Sequence, residues 1–150
     1  MNATNSTILL VEDSENDADT LKRTLKKAKI ANPLEVVTDG REAMAYLSGD
    51  GRFADRARFP LPFLVLLDLK LPKRDGFEVL QWMRGQSQLA DIPVIVLTVS
   101  NDGSDHQRAY ALGARSYLVK PPGIEELQRV MNQMQIYWSR FGDKGPGLPS

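Results

Sequence analysis

Three stretches of this chain are apolar without a break: Ile8 to Val11 (ILLV), Phe63 to Leu67 (FLVLL) and Val94 to Leu97 (VIVL). A strand with one wet face alternates apolar and polar residues. An unbroken run therefore predicts cover on both faces, as in a parallel sheet held between two layers of helices. Two further runs, Leu34 to Val37 and Ser116 to Val119, make five predicted strands in all. Helical spacing fills the intervals. Ala18, Leu21, Leu25 and Ala28 share one face after Ser14, which caps them with Asp17 three residues on, much as in a capping box. Ala43, Met44 and Leu47 follow Asp39-Gly40, Phe77, Leu80 and Met83 follow Asp75-Gly76, and Ala109 and Leu112 lead to Gly113. The last stripe runs through Leu127, Val130, Met131, Met134, Trp138 and Phe141.

Strand and helix alternate five times. Right-handed crossovers then imply an open, doubly wound α/β sheet, for which we take the flavodoxin-like (βα)5 arrangement with strand order 2-1-3-4-5. A length of 150 residues suits a single domain with a core of its own. We assign that domain to residues 6–141 and read 142–150, GDKGPGLPS, as a disordered Gly/Pro-rich tail. SGDGRFADRARFPLP, residues 48–62, is an unusually long connection outside the pattern. Nineteen Lys and Arg balance nineteen Asp and Glu, so no overall field draws the chain to nucleic acid or to an anionic membrane. The absence of cysteine removes disulfides, thiolate metal sites and thiol catalysis. No apolar segment approaches the roughly 20 residues that a membrane span needs, and a soluble cytoplasmic protein is expected.

In such a sheet, ligands bind beyond the carboxyl ends of the strands. Four of the five ends here carry a reactive or ligating side chain. The first strand stops at Glu12 and Asp13, the third at Asp68, the fourth at Thr98 and the fifth at Lys120. With the first strand beside the third, three carboxylates converge, and they repel unless a cation sits among them. Hard oxygen ligands of this sort suit Mg²⁺. Lys120 and Thr98 can hold the oxygens of a phosphoryl group, and Asp68 on the central strand is the natural nucleophile, forming an aspartyl phosphate.

ILLVEDS, VLLDLKLPKRDG, PVIVLTVS and SYLVKPP, in this order and at these separations, resemble the receiver domain of two-component response regulators from about Ile8 to about Phe141. The resemblance implies that Asp13 ligates Mg²⁺ directly, that Glu12 acts mostly through water, and that Asp68 is both phosphoacceptor and ligand. It implies a further ligand in the backbone carbonyl of Lys70, phosphoryl contacts from Thr98 and Lys120, and a cis bond between Lys120 and Pro121. In the family's switch, Thr98 moves toward the phosphoryl oxygen and Tyr117 turns into the space it leaves. That reshapes the face made by the fourth helix, fifth strand and fifth helix. Pro72 reads as loop geometry, and Gly76 as a turn-to-helix requirement.

The long connection, the LTVSND run, RAYALGARSYLVKP and the terminal IYWSRF are similar to single-domain regulators that partner bacterial and cyanobacterial phytochrome histidine kinases. The implied donor is a phosphohistidine on a light-sensing kinase, and no output domain is expected. Some positions depart from the common receiver pattern. Val99, after Thr98, narrows the approach to Asp68, and Pro121-Pro122-Gly123 replaces a more usual helix cap. Lys70 and Ser100 offer neither acid nor amide to position a water, so a long-lived phosphorylated state is expected.

His106, the one histidine, reads as a surface residue rather than an internal donor. Tyr137, Trp138 and Phe141 are either core or an exposed patch for a second copy, consistent with a homodimer through the fourth helix, fifth strand and fifth helix. The alternative is a Mg²⁺-dependent aspartyl-phosphate phosphatase. It ordinarily needs a second acid two residues after the nucleophile, where this chain has Lys70. A flavin- or dinucleotide-binding module lacks its glycine-rich loop after the first strand.

Overall fold

In the computed structural model of the chain, residues 6–71, 75–99 and 102–141 are described, with side chains as far as 134. The elements run β1 (Ile8–Val11), α1 (Glu15–Lys27), β2 (Leu34–Val37), α2 (Gly40–Ser48), a 3-10 turn (Gly51–Phe53), β3 (Leu64–Leu67), α3 (Gly76–Arg84), β4 (Val94–Thr98), α4 (Gly103–Ala111), β5 (Ser116–Val119) and α5 (Ile124–Phe141). All strand pairs are parallel, in the order β2-β1-β3-β4-β5. Pro72 and Ser100, the side chains of Tyr137, Trp138 and Phe141, and the tail 142–150 lie outside the described residues.

Cover on both faces accounts for the unbroken apolar runs. Side chains still alternate along each strand, but both sets are buried. Leu9, Val11, Val65, Leu67, Val94 and Val96 pack with α2, α3 and Ala109 of α4. Ile8, Leu10, Leu64, Leu66, Ile95 and Leu97 pack with α1 and α5. At roughly 25 cal/mol per Å² of apolar surface, these two layers supply the main stabilisation of the sheet. The predicted third strand starts one residue later, at Leu64, and the fourth runs one further, to Thr98.

The caps follow the sequence in most particulars. The side chain of Asp39 accepts from the Glu42 N–H at the start of α2, and that of Asp75 from the Glu78 N–H at the start of α3. Ser14 Oγ accepts from the Asp17 N–H at 3.2 Å. The reciprocal half of a capping box is replaced, because the Ser14 N–H donates to Glu12 Oε2 while the Asp17 carboxylate reaches Lys120.

The long connection is built into the fold. Phe53 is buried and, with Phe59, packs edge-on or tilted against Tyr46 of α2. Arg56 turns back to donate to the carbonyls of Tyr46, Leu47 and Phe59 at 2.8, 2.8 and 3.1 Å. A guanidinium at a helix C-terminus satisfies carbonyls left without helical partners and opposes the negative end of the dipole.

Candidate functional site

β1 and β3 are hydrogen-bonded neighbours, and Val11 pairs with Leu67. The next residue along each strand therefore emerges at the same edge, and the Asp68 N–H still donates to the Val11 carbonyl at 3.1 Å. Glu12, Asp13 and Asp68 each present an oxygen, and these oxygens lie within 4.8 Å of one another. Glu12 and Asp68 are buried and Asp13 is exposed. Two buried carboxylates and an exposed third form a set of hard ligands with a side open to water, which fits a divalent cation of the Mg²⁺ or Mn²⁺ class. Burial pushes the Glu12 carboxyl above its ordinary range, with Asp68 adding to the effect, while hydrogen bonds from Lys120 and the Ser14 N–H oppose it.

Lys120 follows β5, and its N–H donates to the Thr98 carbonyl at 2.8 Å, which sets the two residues at adjacent strand ends. Its side chain, only 11 % exposed, points into the carboxylates. Nζ donates to Asp68 Oδ2 at 2.9 Å and is ion-paired with Glu12. Burial alone lowers an ammonium pKa. Here the carboxylates of Glu12, Asp68 and Asp17 outweigh it and hold Lys120 above its ordinary value. The Lys120-Pro121 bond is cis. The Lys70 N–H donates to Asp68 Oδ1 at 3.1 Å, so the two carboxylate oxygens of Asp68 have different partners. Thr98 is fully buried at the end of β4.

Four positions add to or differ from what the sequence suggests. Asp17, in the first turn of α1, brings a further carboxylate to Lys120 Nζ at 3.0 Å. A signal for it was available: Asp17 lies four residues beyond Asp13, on the helix turn that follows β1, and faces the same edge. His106 is half-buried and stacks on Tyr117, and its Nε2 is buried with no hydrogen-bond partner among the described residues. The surface reading fails because α4 lies against β5. Val99 is 64 % exposed and lines, with Glu12 and Lys120, a cavity of about 250 Å³. Gly76 has no left-handed backbone to satisfy. A Cβ there would sit 2.4 Å from the Asp68 carbonyl oxygen and 2.6 Å from Leu69 Cα, so glycine is required by close approach.

The family model of the response regulator receiver domain matches residues 8–132. The probable methanogenesis regulatory protein FilR2 of Methanothrix harundinacea is 39% identical, over 93% of this chain and 87% of that protein. The response regulator Rcp1 of Synechocystis sp. is 38% identical, over 87% of each. Its Mn²⁺-bound crystal structure superposes with a TM-score of 0.72, at 36% identity, covering 97% of this chain and 99% of that one. The phosphorylated cyanobacterial phytochrome response regulator RcpA superposes with a TM-score of 0.75, at 34% identity over the same shares.

Proposed function

The chain belongs to the response regulator receiver domain family, and from that premise we propose that Asp68 is the side chain on which it takes a phosphoryl group from a sensor histidine kinase, assisted by Mg²⁺. The observation that carries the assignment is the 2.9 Å bond from Lys120 Nζ to Asp68 Oδ2, made beside a carboxylate set suited to a divalent cation. Asp68 Oδ2 attacks the phosphorus of the donor's phosphohistidine. The P–N bond breaks, a P–O bond to Asp68 forms, and the imidazole leaves with the electron pair and takes a proton from solvent.

Asp13, Asp68, the Lys70 carbonyl and, through water, Glu12 would hold the ion, which lowers the repulsion between phosphoryl oxygens and carboxylates. Lys120 and Thr98 bind phosphoryl oxygens by a charge-assisted bond and a hydroxyl bond. Movement of Thr98 toward the phosphoryl group leaves room for Tyr117, which is buried on the adjacent strand two residues before Val119, the register partner of Thr98.

A phosphatase acting on small esters is not favoured, because Lys70 stands where such an enzyme keeps its second acid. The chain acts on itself alone, gaining and losing its own phosphoryl group. The kinase we infer is of the phytochrome type, supported by the likeness to Rcp1 and to RcpA. Its phosphohistidine is supplied from ATP, which puts the exchange in the cytoplasm. No helix among the described residues is long and apolar enough to cross a membrane.

The domain spans 6–141, and its α4-β5-α5 face, where Tyr110 is 49% and Val119 36% exposed, is the surface for a partner or a second copy. Light scattering before and after phosphorylation tests the second copy; a monomer mass in both states excludes it. Incubation with radiolabelled acetyl phosphate and Mg²⁺ tests the main assignment. Label is expected on the wild type, released by hydroxylamine and absent from Asp68→Asn. Label that survives in Asp68→Asn overturns it.

A further inference from the structure

Lys120 occupies the place that a phosphorus atom must reach. Asp68 Oδ1 is engaged by the Lys70 N–H, and Lys120 Nζ sits on Oδ2 at 2.9 Å. An oxygen that accepts from an ammonium has one of its lone pairs tied up, and Nζ at hydrogen-bond distance crowds the approach to Oδ2, so the ammonium has to shift as the phosphoryl group arrives. The side chain is only 11 % exposed, and a charge leaving its partner there without another anion pays a desolvation penalty. Glu12 is already ion-paired with Nζ, and it belongs to the buried carboxylate set that would hold the cation. Asp17 is placed differently. It projects from the first turn of α1, 47% exposed, and accepts from Lys120 Nζ at 3.0 Å across 103 residues of chain.

We propose that Asp17 is a positioning residue that receives the Lys120 ammonium while Asp68 Oδ2 accepts the phosphoryl group, and then yields it to the phosphoryl oxygens. This rests on Asp68 being the phosphoacceptor. A half-exposed ion pair of this kind contributes little to stability, so a merely structural Asp17 leaves the phosphorylation rate unchanged.

The test is the rate constant for labelling by acetyl phosphate, at saturating donor and Mg²⁺. There the acetyl-bound P–O bond breaks and acetate leaves. Asp17→Asn is expected to slow it by about threefold to tenfold. Asp17→Glu, which keeps a carboxylate within reach of Nζ, is expected to recover most of the loss. Glu15→Gln removes the same charge from the same exposed turn and should label at the wild-type rate. In the metal-free protein, exchange of the Lys120 ammonium protons with water, followed by ¹⁵N NMR, should quicken in Asp17→Asn and not in Glu15→Gln. A wild-type rate in Asp17→Asn, an equal fall in Glu15→Gln, no recovery in Asp17→Glu, or unchanged proton exchange overturns the role. A wild type that takes no label defeats the phosphoacceptor assignment instead.

Discussion

The imidazole of His106 lies against the phenol ring of Tyr117, with ring centroids 3.6 Å apart and planes 29° from parallel. The stack ties α4 to β5 one strand away from Thr98, and any turn of Tyr117 out of its present position has to break it. Stacked aromatic pairs are worth about 0.5–1.5 kcal/mol beyond the area they bury. His106→Ala is therefore expected to lower unfolding free energy in urea by about 1 kcal/mol and to broaden or shift the Tyr117 ring resonances, whereas His106→Phe retains most of the stability. Ring resonances and stability both unchanged in His106→Ala would show that the two rings are not coupled.

Gly76 sets how closely α3 approaches the residue that we assign as phosphoacceptor. Its N–H donates to the Leu69 carbonyl at 2.9 Å, and a Cβ would run into backbone atoms of Asp68 and Leu69 that have no rotamer to give way. Gly76→Ala should lose about 1–3 kcal/mol, as overpacked sites do, and should also slow acetyl phosphate labelling because Asp68 itself is displaced. A paired urea titration and labelling assay checks both. Loss of stability with a wild-type rate would separate the helix contact from the site.

Divalent ions should stabilise the fold more at neutral pH than in acid. Burial raises the Glu12 carboxyl in the folded protein. A raised carboxyl confers stability that is present below its ordinary value of 4.5 and lost as pH rises through the raised value, so at neutral pH its ionised form is a burden. A bound cation relieves that burden and stabilises by mass action. The gain in melting temperature on adding Mg²⁺ is expected to be large at pH 7.5, to shrink as falling pH protonates Glu12, and to vanish in Asp13→Asn. A gain that grows on acidification contradicts this.

Tyr46 makes a prediction at the other end of the scale. Burial pushes its phenol up to about 12, with Glu35 adding to the effect and Arg56 opposing it, and its hydroxyl donates to the Pro60 carbonyl at 2.9 Å. The fold favours the protonated form, so the stability conferred is complete below pH 10.0 and is lost as pH climbs toward 12. Melting temperature should drop between these values in the wild type. Tyr46→Phe should begin about 1 kcal/mol lower at neutral pH, for want of the hydrogen bond, and then fall less steeply. Parallel slopes in the two proteins would remove Tyr46 as the cause.

Much of the molecule is settled by local pattern. Ile8–Val11, Leu64–Leu67 and Val94–Thr98 are strands because their apolar residues leave no wet face, and the polar stop after each run marks where the sheet opens to water. Asp39 and Asp75 announce the starts of α2 and α3 through short-range side-chain bonds. Those features depend on neighbours a few residues apart, and strict βα alternation with right-handed crossovers makes the sheet parallel and doubly wound. What the tertiary structure alone decided are contacts between different parts of the fold: Asp17 on Lys120, His106 on Tyr117, Gly76 against Asp68, and Arg56 folded back on the end of α2. Periodicity reports that a side chain faces inward or outward. It carries no record of which distant charge or ring waits there, because that depends on how helices settle on the sheet within an ångström or two.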